Sequence, residues 1–160
     1  MTILSWTGVD PGLVHTGVVT IRLDNCSRSV SVNPTVFDGA DVDTVADYLV
    51  HSEDLGPVFV EKYEDRGTSF TTHHEMRAFE TQLKRLVPHV VMLSNTGVKK
   101  VVKNDMLARL HCLDFPTTNH RDLQAAARIG IYGALKDPAA NSLIYQYLLD
   151  SVRGEPWQIQ

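Results

Sequence analysis

Three acidic residues far apart along the chain, Asp10, Glu61 and Asp122, stand where carboxylates do chemistry. Asp10 ends an apolar run, Ile3-Leu4-Ser5-Trp6-Thr7-Gly8-Val9, and is followed by Pro11-Gly12 and His15-Thr16-Gly17-Val18-Val19. That is strand, tight turn and strand, with one anion at the bend. Gly8 and Gly12 are expected to allow close backbone approach and positive φ, while Pro11 fixes its own φ and ends ladder pairing. Glu61 closes a second short apolar run of the same shape, Pro57-Val58-Phe59-Val60. Asp122 lies in the first turn of an Ala-rich helix opened by Asn119-His120-Arg121. Ligands of open α/β sheets gather at the carboxyl ends of strands, so adjacent strands would join Asp10 to Glu61, and a helix crossing that end would add Asp122. Anions so gathered repel one another unless cations neutralise them. The hard divalent magnesium ion suits such a place, because it takes few protein carboxylates and keeps positions open for a phosphate. Two ions about 4 Å apart can activate a water, clamp a scissile phosphate and stabilise the departing oxyanion. Plainer readings stand beside this one: Asp10 as a turn cap, and Asp122 as an acid that a helix dipole favours by roughly 0.3 to 1 kcal/mol.

The elements that must position these residues alternate in type. After the first hairpin, Ser29-Val30-Ser31-Val32 and Thr35-Val36-Phe37 suggest a third antiparallel strand. Asp41 to Val50 carries Val42, Val45, Ala46 and Leu49 at helical spacing, with acids opposite. Thr72-His73-His74-Glu75 matches a capping box, and Met76, Phe79, Leu83, Leu86 and Val87 continue a long helix to Pro88. His89 to Leu93 reads as a strand, Ser94-Asn95-Thr96-Gly97 as a polar loop, and Asn104 to Cys112 as a short helix. The Ala-rich helix runs to about Leu135, with Ala125, Ala126, Gly130 and Gly133 permitting close packing on a sheet. His73 and His74, as helix neighbours, point apart and cannot easily share an ion.

The chain has 160 residues, 43% of them hydrophobic, which suits a single domain over residues 1–160. No stretch approaches a membrane span and the start has no signal-peptide pattern, so a cytoplasmic protein is expected. Cys26 and Cys112 are far apart, without metal-ligand spacing, and read as reduced bystanders. The net charge of −4 argues superficially against a polyanionic partner, yet Asp38, Asp41, Asp43, Asp47, Glu53 and Asp54 lie in one stretch without Lys or Arg. Without those six acids the chain stands at +2, and its basic residues include a group of Lys99, Lys100, Lys103, Arg109, Arg121 and Arg128. These form either one basic face or ordinary solvated helix surfaces.

The order Ile3 to Val9 with Asp10-Pro11-Gly12 and Thr16-Gly17, then Val58-Phe59-Val60-Glu61-Lys62-Tyr63, then Asp122 before Ala125-Ala126-Ala127, resembles the RuvC group of the ribonuclease H-like nucleases. Phage-encoded members are the nearest in character. The resemblance implies an α/β fold with a mixed five-stranded sheet, its first three strands antiparallel, flanked by helices. It also implies a homodimer that cuts branched DNA, above all four-way (Holliday) junctions, with Mg2+ or substituting Mn2+. Asp10, Glu61 and Asp122 would be catalytic metal ligands. Members of the group commonly place two ligands three residues apart on the last helix; Asn119 stands at the first position here, as a weak oxygen ligand, unless His120 takes the role through a shifted first turn or only three strong ligands exist.

Lys103 resembles the basic residue that the group keeps near the scissile phosphate, where a cation would stabilise charge that grows in the transition state. Positioning of DNA phosphates is the competing role for Lys103 and the leading one for Lys99 and Lys100. The segment after Glu61, with Tyr63, Arg66, Thr68, Ser69 and Phe70, is suited to holding opened bases, with Tyr63 or Phe70 stacking on one. Other readings remain: a nuclease for flaps, forks or RNA–DNA hybrids, or a junction-binding module without turnover. An actin-like ATPase also opens on an acid-and-glycine hairpin, but its second nucleotide-binding lobe does not fit this length.

Overall fold

The computed structural model describes residues 2–39, 41–65, 67 and 69–160. The chain opens with a meander of antiparallel strands, β1 (Ile3–Asp10), β2 (His15–Asp24) and β3 (Ser29–Asp38). It continues through α1 (Val42–His51), β4 (Val58–Glu61), α2 (Phe70–Leu86) and β5 (Val91–Leu93). The short helices α3 (Val98–Val101) and α4 (Asn104–Arg109) lead to α5 (His120–Ala134), α6 (Pro138–Arg153) and β6 (Gln158–Ile159). β4 pairs parallel with β1, β5 with β4, and β6 with β3, giving the order β5-β4-β1-β2-β3-β6. The first three strands are antiparallel in a mixed sheet, as expected, but among the described residues the sheet has six strands rather than five. The added strand is two residues long, too short for apolar alternation to reveal it. It is held by long-range bonds: Gln158 N–H donates to the Arg28 carbonyl at 2.7 Å, and the Arg28 guanidinium pairs with Asp150 and Glu155 at 2.9 Å each.

The side-chain period of two along each strand divides the interior into a core on each face of the sheet. Trp6, Val19, Ile21, Leu23 and Phe59 pack with Leu123, Ala126 and Ala127 of α5. Val9, Val18, Val58 and Val60 pack with Val45 and Leu49 of α1 and with Phe79 and Leu83 of α2. Asp10 and Glu61 are in phase with Gly8 and Phe59, and so lie on the α5 side.

α5 meets the sheet almost backbone to backbone. A Cβ on Gly8 would stand 1.8 Å from the Ala126 carbonyl oxygen, one on Gly130 2.9 Å from the Gly8 nitrogen, and one on Gly133 2.3 Å from the Phe59 ring. Gly12 likewise leaves room for the His15 carbonyl, 2.3 Å from where its Cβ would be. Neither Gly8 nor Gly12 has the positive φ anticipated; close approach alone requires them.

Some element ends differ from expectation for local reasons. α2 begins at Phe70 with Ser69 as its cap, whose hydroxyl accepts the Thr72 N–H at 3.2 Å, so Thr72 lies inside the first turn instead of capping it. α4 stops at Arg109, short of Cys112, and His111 just beyond it takes a φ of 58°. α1 is capped by Asp41, which accepts from Thr44 N–H at 3.1 Å. Among the described residues no helix is long and apolar enough to cross a membrane.

Gly8→Ala is expected to lower stability by about 3 kcal/mol or more, since either α5 or β1 must move to admit the methyl group. Urea denaturation of the variant against the parent chain measures it.

Candidate functional site

The β1–β4 register sets the first two acids. Val9 pairs with Val60, so Asp10 and Glu61 follow side by side at the ends of adjacent parallel strands, on the same face. Across the other edge of β1, Asp10 pairs with Gly17 of β2. Gly17 is where α5 lands: a Cβ there would be 2.8 Å from the Asp122 carbonyl oxygen. The first turn of α5 therefore rests on the residue opposite Asp10, and Asp122 joins the pair from above.

The electrostatic consequence falls on Asp10. Burial, then the charges of Glu61 and Asp122, push its carboxyl up from the ordinary 3.8 to about 8. Among the described residues, however, no three His, Cys, Asp or Glu side chains are gathered tightly enough to form a ready three-ligand cage. An all-oxygen donor set of mutually repelling acids still fits magnesium, which is held by one or two carboxylates with substrate phosphate and water completing its shell. Asp10 and Glu61 are the best placed of the residues to hold it.

Glu61 forms the wall between two clefts. Asp10, Pro11, Glu61, Lys62, Tyr63, Glu64 and Met76 line one of about 210 Å³. Glu61, Asn95, Lys99, Arg121, Gln124, Ala125 and Arg128 line the other, of about 250 Å³. Lys99 thus shares a cleft with Glu61, and Arg121 adds a second cation there. Lys103 is placed elsewhere. It caps α4 and lines a groove between α4 and α6 with Met106, Tyr145 and Leu149. Lys100 is exposed on α3. Arg128 is buried and structural: its guanidinium donates to the Val102 carbonyl and, at 2.8 Å, to Asn104 Oδ1, bracketing Lys103.

Asn119 is the cap residue of α5, is partly buried, and makes no side-chain capping bond, whereas His120 is the exposed first helical residue. Tyr63 lines the cleft with Asp10; its ring packs on His73 at 5.5 Å, with the Arg77 guanidinium 6.0 Å from the ring centre. Phe70 is 84% exposed at the start of α2 and lies nearly parallel to the His74 ring, 6.4 Å away. The two histidines thus diverge to different aromatic neighbours. Arg66 and Thr68 lie outside the described residues. His15 pairs with Asp38 at 3.0 Å on the hairpin surface.

Two residues not anticipated from the sequence support this site. Asn95 donates its side-chain amide to Glu61 Oε1 at 2.6 Å. Glu80, buried on α2, accepts the Tyr63 N–H. Glu80 had a signal: it is an acid within the apolar stripe of Met76, Phe79 and Leu83. Asn95 had none, as an Asn in a polar loop.

No known protein-family model matches the chain, and no curated protein does. Among solved structures, Thermus thermophilus RuvC in complex with a Holliday junction substrate superposes with a TM-score of 0.59 over 96% of this chain and 98% of that one, at 12% identity. A second T. thermophilus RuvC structure gives 0.56 over 96% and 99%, at 13% identity. The fowlpox virus resolvase with substrate Holliday junction DNA gives 0.49 over 88% and 99%, at 16% identity. The fold is that of RuvC. At these identities the RuvC likeness speaks for the ribonuclease H-like chain path, and each residue's role must be argued from its own surroundings.

The raised carboxyl makes stability pH-dependent in metal-free protein. Between pH 3.8 and about 8 the folded chain keeps a proton on Asp10 that the unfolded chain has lost. Folding therefore weakens as pH rises through that window, by at most about 1.4 kcal/mol per unit. Thermal melts in EDTA should show wild type falling from pH 5 to pH 8 and Asp10→Asn falling less. At pH 8 the variant should melt higher, by about 2–4 °C for each kcal/mol recovered.

Proposed function

We propose that this chain is a divalent-metal-dependent endonuclease acting on branched DNA, most specifically on four-way junctions. The observation that carries the proposal is the convergence on Asp10: Glu61 beside it in register, Asp122 over its β2 partner, and the resulting displacement of its carboxyl to about 8. A set of acids that disfavours its own ionisation is costly to keep, and a cation turns that cost into affinity.

Asp10 and Glu61 would hold magnesium, with manganese as a substitute, Asp122 approaching from the first turn of α5 and Asn119 as a neutral oxygen at the edge of the site. When bound, a pair of such ions would supply Lewis acidity toward a scissile phosphodiester and a nucleophile at neutral pH. The protein's own residues do the rest. Strand ends hold the acids rigidly, and Tyr63 and Met76 wall the cleft against bulk water. Lys99 and Arg121 present positive charge on the other side of Glu61, where a backbone phosphate would be drawn. Lys100 and Lys103 extend that charge along α3 and α4.

A four-way junction as substrate rests on the RuvC fold, whose T. thermophilus example is bound to one, and on the exposed aromatic Phe70 beside the cleft segment. Symmetric cutting of two strands calls for two equivalent sites, hence a homodimer with C2 symmetry. The deciding experiment is cleavage of a labelled mobile junction with magnesium, manganese or EDTA, beside forks, flaps and RNA–DNA hybrids. Metal-dependent symmetric cutting of the junction is expected. Tight binding without cutting in any metal would favour a junction-binding module, consistent with Asn119 in place of an acid.

Asp10→Asn should lower cleavage by roughly a thousandfold or more, while junction binding in EDTA stays equal below about pH 8, where the carboxyl is already protonated, and strengthens above it, where a negative charge is removed beside the phosphate path. Phe70→Ala should leave the melting temperature unchanged, since the ring is exposed. Its junction affinity should fall by the roughly 1 to 3 kcal/mol that an aromatic–base stack contributes; gel-shift titration measures both variants.

A further inference from the structure

We infer that Asn95 is a positioning residue for Glu61 and that its amide sets the affinity of the site for a divalent cation; this rests on the metal-dependent nuclease reading above. The geometry is direct: Asn95 Nδ2 donates to Glu61 Oε1 at 2.6 Å. Asn95 is partly buried in the cleft on the side of Glu61 away from Asp10.

The loop that carries Asn95 is held on both sides of it. Thr96 N–H donates to Ser94 Oγ at 3.1 Å, and Val98 N–H donates to the Asn95 carbonyl at 3.2 Å as α3 begins. Gly97 takes a φ of 80°, the left-handed turn that lets the helix start there. The hydroxyls of Ser94 and Thr96 donate to Glu64 Oε1, three residues after Glu61, and Lys62 N–H donates to the Leu93 carbonyl at 2.8 Å. The segments on either side of Glu61 and Asn95 are thereby tied to each other. The amide arrives at the carboxylate already oriented.

The chemistry of the donor matters. A neutral amide N–H fixes the carboxylate rotamer without cancelling its charge. A lysine or arginine there would orient it equally well and weaken its hold on a cation. Outer hydrogen bonds of this kind typically contribute 10–100-fold to metal affinity or activity.

The test is calorimetric titration of Mn2+ into the metal-free full chain, with cleavage and junction binding followed in parallel, for wild type, Asn95→Leu and Asn95→Gln. Asn95→Leu keeps the side-chain size and removes the donor. It should weaken Mn2+ binding about 10-fold and raise the metal concentration for half-maximal cleavage by a similar factor. Its junction binding in EDTA should match wild type, and Asn95→Gln, which keeps a donor, should recover part of the loss. If Asn95→Leu melts early in EDTA, Asn95→Ala, which also lacks a donor, takes its place with the same expectations. Wild-type Mn2+ affinity in the donor-less variant overturns this inference and leaves the nuclease reading standing. A wild-type chain that neither binds Mn2+ nor cuts overturns both.

Discussion

The contact between the α5 backbone and the centre of the sheet governs everything built on it. Helix and strand approach so closely at Gly8 and Gly130 that no side chain fits between them, and the helix start is set by the same approach at Gly17. Glycines inside helices and strands each cost roughly 0.5–1 kcal/mol relative to alanine. Leu123, Ile129 and Ile131, all fully buried around the contact, offset that cost with apolar burial. What the arrangement achieves is placement. A helix spaced at the ordinary distance by leucine or phenylalanine side chains would hold Asp122 well above the strand ends.

The same contact creates an electrostatic conflict that the rest of the fold must sustain. Asp10 would rather keep its proton than share a partly buried corner with Glu61 and Asp122. The structure tolerates this because the backbone positions of all three acids are set by elements whose stability comes from elsewhere: the two cores on either face, and the β1–β2 ladder that runs from Ile3–Asp24 to Asp10–Gly17. The surrounding loops are fastened by polar bonds, with Glu80 holding the Tyr63 backbone and Glu64 bonding the loop after β5. Strained function on a rigid frame is the general pattern of active sites.

How much of this was legible in the sequence depends on the range of the interaction that decides each feature. The strands and helices follow from apolar spacing, a local property, and so do the strand-end positions of Asp10 and Glu61. The order of strands is non-local, but the short β4 and β5 with helices between them admit few parallel arrangements. What stayed hidden was decided by partners distant in sequence. β6 is two residues that pair with β3 beside the Arg28–Asp150 ion pair, a contact between residues far apart in sequence. Asn95 matters through a bond to a residue 34 positions earlier, which no spacing rule encodes. The start of α2 slipped because Ser69 and Thr72 both satisfy the local pattern for a cap, and three-dimensional context chose the earlier one. The resemblance puts Lys103 near a scissile phosphate; in the fold it lines the groove between α4 and α6 and neither of the clefts that share Glu61.

The net negative charge, an apparent obstacle to a nucleic-acid partner, is resolved by the sheet itself. The acidic stretch from Asp38 to Asp54 runs from the end of β3 through α1, which packs on the face opposite α5. Lys99, Lys100, Lys103, Arg109 and Arg121 lie on or beside α3, α4 and α5, on the face that carries Asp10 and Glu61. Asp105 neutralises Arg109, with which it is paired at 3.0 Å, and leaves Lys99, Lys100, Lys103 and Arg121 to set the charge of that face. At physiological salt the Debye length is about 8 Å, so an incoming phosphate feels the face it approaches and hardly the one across the sheet. A polyanion is therefore steered to the side that holds the acids. Were DNA the partner, as proposed, its binding there would release counter-ions from the phosphates and so be salt-sensitive, while the partly buried Asp10, Glu61 and Asp122 would carry the chemistry.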